Sequence, residues 1–162
     1  MKSQTRPCIR EDFESMLEMA KQMHQESPVY KDLPLDLNKL LELGEMSLLY
    51  PDVITLLVSE TDGVLTGMLG AVATQEYFGP AVTTCDLFLY VRPNKRGSLA
   101  AFRLIKKYVK WAESLHATRI SLGITTGILL EETGKLFEAA GFSPAGHLFT
   151  RINPNGHHQT HQ

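Results

Sequence analysis

A mixed α/β domain with an antiparallel meander at its centre is what the sequence predicts, and three observations predict it. Between Val53 and Val91 lie three β-rich runs separated by turn signals. Before and after that region, apolar residues recur at helical spacing. From Ala81 to Gly123 a strand, a helix and a strand follow one another, the order of a parallel crossover. The 162 residues fit one domain, read here as residues 1–152 with a polar tail, 153–162, expected to be disordered. With 43% hydrophobic and 21% charged residues, the chain has the composition of a soluble globular protein and not of a disordered one.

Each element has a local reason. Ile9 lies in a short extended segment. Asp12 reads as an N-cap, and Phe13, Met16, Leu17, Ala20 and Met23 then repeat along one helical face until Pro28. A second helix starts near Asp36, with Leu37, Leu40 and Leu41 on one face and Gly44 as its left-handed close. Val53–Glu60 and Val64–Gln75 are strands joined by Asp62-Gly63, a two-residue hairpin signal, with Gly67 and Gly70 as bulge candidates. After the turn Tyr77–Pro80, Ala81–Val91 is a third strand. Strict alternation puts Cys85, Leu87, Leu89 and Val91 on one face and Thr84, Asp86, Phe88 and Tyr90 on the other. Pro93 stops it. A helix then runs to about Leu115, with Ala101, Ile105, Tyr108, Ala112 and Leu115 facing the core. Arg119–Gly123 is a short strand, Glu131–Ala140 a helix with Gly141 at C′, and Gly146–Ile152 a last strand. The order is β-α-α-β-β-β-α-β-α-β, a mixed, mostly antiparallel sheet flanked by helices.

Several function classes fall away. Two cysteines, Cys8 and Cys85, make no disulfide scaffold, so a cytoplasmic chain with reduced thiols is expected, Cys85 as a core residue. No CxxC or HExxH motif suggests a metal, and His157, His158 and His161 lie in the polar tail. The start lacks the apolar core of a signal peptide, and no apolar run approaches the roughly 20 residues of a membrane span. A net charge of -2 gives no general argument for nucleic acid.

Charge is nevertheless uneven. From Arg92 to Arg119 eight basic residues meet one acid, Glu113. The positive charge gathers where a strand turns into a helix, beside the small residues Gly97, Ser98, Ala100 and Ala101. A helix N-terminus offers unpaired N–H groups and a positive dipole end, and small residues let a phosphate approach them. The same residues also suit an ordinary solvated basic helix face.

The stretch Val91-Arg92-Pro93-Asn94-Lys95-Arg96-Gly97-Ser98-Leu99-Ala100-Ala101-Phe102-Arg103-Leu104 resembles the coenzyme-A-binding segment of the GNAT acetyltransferase superfamily, V-x-P-x-x-R-G-x-G-x-G/A-x-x-L. Val91, Pro93, Arg96, Gly97, Ala101 and Leu104 match. Downstream, Lys135-Leu136-Phe137-Glu138-Ala139-Ala140-Gly141-Phe142 is similar to the family's L-Y-E-K-L-G-F helix end. The element order agrees with the family's too. The resemblance implies acetyl-CoA as co-substrate and no metal. Backbone groups of Leu89, Tyr90 and Val91 would hold the pantetheine arm, and Arg96, Gly97, Ser98, Leu99, Ala100 and Ala101 would wrap the pyrophosphate. An amine would enter from the opposite side of a cleft where the third strand and the Arg119–Gly123 strand splay apart. Departures from the pattern are Leu99 in place of Gly, Phe137 in place of the Tyr that protonates the leaving thiolate, and a missing Asn before the last helix.

A protonated amine is no nucleophile, so a base is needed. Asp86, five residues before Val91, is the first candidate and Glu76, at the hairpin end, the second. Tyr90 is a candidate acid. A strand-edge carboxylate and a half-buried core tyrosine are the plain alternatives for Asp86 and Tyr90. The expected function is acetyl transfer from acetyl-CoA to a primary amine by direct attack. The alternative is a catalytically weak or inactive protein of the same fold that binds an acyl-CoA or a protein partner. The resemblance implies that the acceptor, a small-molecule or peptide amine, meets the Tyr30–Pro34 loop, the Glu76–Phe78 hairpin and the last strand, and the acidic balance outside the cradle favours a cationic one. A homodimer is compatible with the resemblance; a membrane or nucleic-acid partner is not expected.

Overall fold

The computed structural model describes residues 1–156. Five strands, β1 (Ser3–Pro7), β2 (Ile54–Thr61), β3 (Val64–Gln75), β4 (Val82–Val91) and β5 (Arg119–Ser121), lie side by side in that order. The first three pairings are antiparallel. β4 and β5 run parallel, matched from Thr83↔Arg119 to Cys85↔Ser121. Asp62 and Gly63 both adopt positive φ, 50° and 81°, the geometry of the expected two-residue turn. Four helices flank the sheet: α1 (Phe13–Glu26), α2 (Leu37–Leu49), α3 (Ala100–Ser114) and α4 (Leu130–Ala139).

Two apolar layers hold these parts together. On one face, Phe13, Met16, Met19 and Ala20 of α1 pack on Leu56, Val58, Met68 and Tyr90, with Leu40 and Leu43 of α2 beside them. On the other, Leu104, Ile105, Tyr108 and Ala112 of α3 and Phe137 of α4 cover Leu57, Leu69 and Ala71. Leu104, Ile105 and Tyr108 are wholly buried, each of the two aliphatic side chains contributing about 2 kcal/mol. The Tyr108 hydroxyl lies 2.9 Å from Thr84 Oγ1 and 2.9 Å from Ser121 O, clasping β4 to β5. At α2, Asp36 accepts from the N–H groups of Asn38 and Lys39, as its position predicts. Past α4, Phe142 N–H donates to Phe137 O and Gly141 N–H to Glu138 O, a Schellman close around Gly141 at φ 97°.

Five expectations are corrected. Gly44 does not end α2: it lies inside the helix, where an added Cβ would fall 2.8 Å from Phe13 Cζ, so its lack of a side chain seats α2 on α1. Asp12 precedes α1 but does not cap it; its carboxylate takes Ile9 N–H at 2.9 Å and pairs with Arg6. The faces of β4 do not alternate throughout. Gly70 pairs with Phe88 but Ala71 with Asp86, leaving Leu87 as an extra, bulged residue. Thr84 and Asp86 therefore face α3, whereas Phe88 and Tyr90 face α1. Cys85 is consequently exposed and not a core residue. Finally, Gly146–Ile152 forms no strand: Leu148, Phe149 and Ile152 are 82%, 90% and 89% exposed. The three-residue β5 offers too short a ladder to order a further strand. The expectations for residues 157–162 lie outside the described residues.

Candidate active site

β4 and β5 stop pairing at Cys85 and Ser121, and the fork between them opens a cleft. Its volume is about 390 Å³. Leu89, Tyr90 and Val91 form one wall, the Lys95–Ser98 loop and Ala101 the second, and Gly123–Thr126 with Leu136 and Phe137 of α4 the third. The bulge at Leu87 sets the fork, because it turns the end of β4 out of register with β3 just where β5 leaves.

At the cradle, Gly97 has φ 80°, a conformation that a Cβ would strain. The backbone enters α3 through Leu99 with no side-chain cap. Among the described residues, the N–H groups of Gly97, Leu99, Ala101 and Phe102 meet no acceptor, and Ala100 N–H meets only Ser98 Oγ at 3.3 Å. These donors and the dipole of a 15-residue helix converge on one spot, which suits a pyrophosphate. Leu99 does not obstruct it: its side chain is 61% exposed and lines no part of the cleft. Ala100 faces the core, so only its N–H is available.

Arg96 is placed differently from the expectation of a free phosphate ligand. Its Nε donates to Val91 O at 3.1 Å and its Nη2 to Glu26 Oε2 at 2.7 Å, with Nη1 on Glu26 Oε1. Its guanidinium lies 5.5 Å from the centre of the Tyr90 ring, and the Tyr90 hydroxyl donates to Glu26 Oε2 at 3.2 Å. The Arg96 pair lowers the pKa of Glu26, which stays ionised; burial first, then Glu26, raises that of Tyr90, which stays protonated. Arg96 thus ties the cradle to the end of α1. Glu26 was not singled out from the sequence, although a signal existed. A carboxylate in the last turn of a helix opposes the dipole and calls for a compensating cation.

Asp86 sits at the base of the fork. Gly123 N–H donates to its Oδ1 at 2.8 Å, while Oδ2 is buried with no hydrogen-bond partner. Burial raises its pKa to about 6 against the pull of the Gly123 N–H and of its own backbone N–H. A carboxyl left half-satisfied at a fork, and titrating near neutrality, has the properties a proton acceptor needs. Glu76 is not brought to this place. It pairs with Arg119 at the opposite end of β4, where Thr83 meets β5. Phe137 is 8% exposed, lines the cleft and packs near Phe142, so α4 supplies no hydroxyl at that position.

A further contact closes the site. Ser27, wholly buried after α1, donates to Thr126 O at 2.5 Å and accepts from the N–H groups of Val29 and Tyr30. It joins the loop after α1 to the loop before α4 across the fork. In sequence it reads only as the Ser-Pro that ends a helix. Among the described residues no helix is long and apolar enough to cross a membrane, and no group of three or more His, Cys, Asp or Glu could hold a metal ion.

Comparison with known proteins agrees with this fold. The sequence model described as "Acetyltransferase (GNAT) family" matches residues 13–147. Among solved structures, AAC(6')-Iy in complex with the bisubstrate analogue CoA-S-monomethyl-acetylneamine superimposes with a TM-score of 0.75 at 17% identity, over 94% of this chain and 99% of that one. Glucosamine-6-phosphate N-acetyltransferase from Arabidopsis thaliana gives 0.75 at 12% identity, with the same coverage. Ribosomal-protein-alanine N-acetyltransferase from Brucella melitensis biovar Abortus 2308 gives 0.73 at 16%, over 94% and 100%. No curated protein sequence matches the chain. With the family pattern running through most of its length, the chain belongs to the GNAT acetyltransferase family.

Proposed function

We propose that the protein transfers an acetyl group from acetyl-CoA to a primary amine within a ternary complex. The observation that carries this reading is the cleft itself, in which unpaired N–H groups at the start of α3 and the open side of β4 meet the fork, where Gly123 lines the cleft and holds the Asp86 carboxyl behind it. In this reading the N–H groups of Gly97, Leu99 and Ala101 hold the pyrophosphate, and Leu89–Val91 run along the pantetheine arm. Backbone donors of this kind are already oriented and cost no reorganisation when charge develops.

Asp86 takes the amine's proton, directly or through one water, so that the nitrogen attacks the thioester carbon as the C–S bond breaks. The sulfur leaves as thiolate. Tyr90, protonated and on the cleft wall, is the phenol available to return a proton to it. Its bond to Glu26 holds the ring in place.

Release of free CoA thiol on adding amines to protein and acetyl-CoA tests the reading. Thiol release matched by acetylated amine supports it. Phe137 favours a second reading, an acyl-CoA-binding protein without turnover, since at this cleft-lining position α4 carries a ring without a hydroxyl. Saturable acetyl-CoA binding with no thiol release from any amine would select that one.

A further inference from the structure

A second cavity lies under α1 and α2, on the face of the sheet that Phe88 joins because of the bulge. Its volume is about 250 Å³. Apart from His24 and Tyr30, every side chain lining it is hydrocarbon or thioether. No carboxylate, lysine or arginine faces it. His24 spends one ring nitrogen on Leu33 O, 2.7 Å away. The rim is apolar as well: Leu33, Leu35 and Leu41 line the cavity and remain 45%, 37% and 37% exposed. Interior glycine makes the space. A Cβ on Gly70 would come within 2.7 Å of the Phe88 ring, so the missing side chain lets that ring pack close on β3, where it lines the cavity.

The cavity adjoins the fork. Phe88 lines it, and the next residue, Leu89, lines the cleft. Ile128 lines the cleft and packs against the same apolar cluster as Met16, Met68 and Phe88. Tyr30 lines the cavity and belongs to the loop that Ser27 fastens across the fork. An amine lodged here would have its apolar end under α1 and its nitrogen toward the fork, on the side away from α4.

We propose that the acceptor is an amine carried on an apolar body, an arylalkyl or alkyl amine, and that this cavity binds that body. The inference rests on the acetyl-transfer reading and names the acceptor class for it. A cavity of about 150 Å³ lined by Leu, Ile and Phe takes up benzene, so the larger space here has room for one ring and a short chain. A polyhydroxylated or polycationic acceptor would leave its polar groups unpaired against carbon and sulfur. The acidic balance elsewhere on the surface can attract the ammonium end, while the cavity selects what the nitrogen is attached to.

The test is a chain-length series. With saturating acetyl-CoA, KM is measured for n-alkylamines from propylamine to heptylamine, for 2-phenylethylamine, and for spermidine and kanamycin. KM should fall about fourfold for each added methylene until the cavity is full, and 2-phenylethylamine should rank with the longer alkylamines. Ala20→Leu, which projects into the cavity from α1, should raise the KM of heptylamine by about tenfold. It should leave the acetyl-CoA Kd unchanged, which shows that the variant folds. Should Ala20→Leu not fold, Leu41→Glu at the rim replaces it with the same expectation. A KM independent of chain length, or kcat/KM for spermidine or kanamycin exceeding that of every apolar amine, would overturn the inference. If acetyl-CoA does not bind at all, the acetyl-transfer reading fails separately. The cavity is then read by calorimetry with heptylamine alone: saturable binding lost in Ala20→Leu supports it, and no binding overturns it.

Discussion

Replacing Asp86 by Asn keeps the acceptor for Gly123 N–H and removes the charge. In the native chain this carboxyl has its pKa moved by burial from an ordinary 3.8 to about 6, so the folded state holds the proton more tightly than the unfolded state does. The resulting stabilisation is fully present below about pH 3.8 and lost as the pH rises to about 6. The loss is about 3 kcal/mol. The stability difference between Asp86→Asn and the native chain should therefore shift in favour of the variant by nearly that amount from about pH 3 to about pH 7, roughly 2 kcal/mol of it between pH 4 and pH 6, and level off beyond. Any pH-independent cost of burying the amide cancels in this comparison. Urea unfolding of both proteins at a series of pH values reads it. The same substitution should remove the acidic limb of kcat/KM, which in the native protein rises with pH through about 6 as the base loses its proton. A stability difference that does not change with pH would refute the reasoning, because Asp86 would then not be a carboxyl held short of partners.

Other outcomes follow from the same contacts. Arg96→Ala and Glu26→Gln should each weaken acetyl-CoA binding by about 1–3 kcal/mol, and the double variant little further, because both act through one tie; additive losses in calorimetry would contradict that. Gly97→Val should lower acetyl-CoA affinity and cost about 1–2 kcal/mol of stability, since its φ of 80° penalises a side chain even where space is free. Ser27→Ala leaves Thr126 O and two N–H groups short of a partner and should destabilise by about 1–3 kcal/mol in urea unfolding. A Ser27→Ala protein as stable as the native one would mean that the two loops are not joined there.

The sequence made legible whatever local chemistry decides. Asp62-Gly63 requires two left-handed residues and made the hairpin readable; Asp36 capped its helix; Gly141 closed α4. The small-residue entry to α3 was legible in Gly97, Ser98, Ala100 and Ala101, whereas its reading as a phosphate cradle came from the family resemblance. What could not be read was decided by partners distant in sequence. The register shifts at Gly70, a bulge candidate already in the sequence, but nothing in the run Val82–Val91 signals that Leu87 of the partner strand is the residue left over. The bulge moves Asp86 and Phe88 to opposite faces, one to the fork base and the other to the cavity lining. Gly44 reads locally as a helix stop, but the Phe13 ring packed against it is a contact that the local sequence does not show. Arg96 meets Glu26 across 70 positions, so its matching place in the family pattern said where it lies but not what it holds. The last run, Gly146–Ile152, has the alternation of a strand but no ladder to join.

The acetyl-CoA cleft is the centre of this account, and calorimetric titration of the purified protein tests it most directly, with desulfo-CoA and ATP as comparisons. Saturable binding of acetyl-CoA and desulfo-CoA but not ATP, weakened in Gly97→Val, is the predicted result. No binding of acetyl-CoA at millimolar concentration, or equal binding in Gly97→Val, would contradict it.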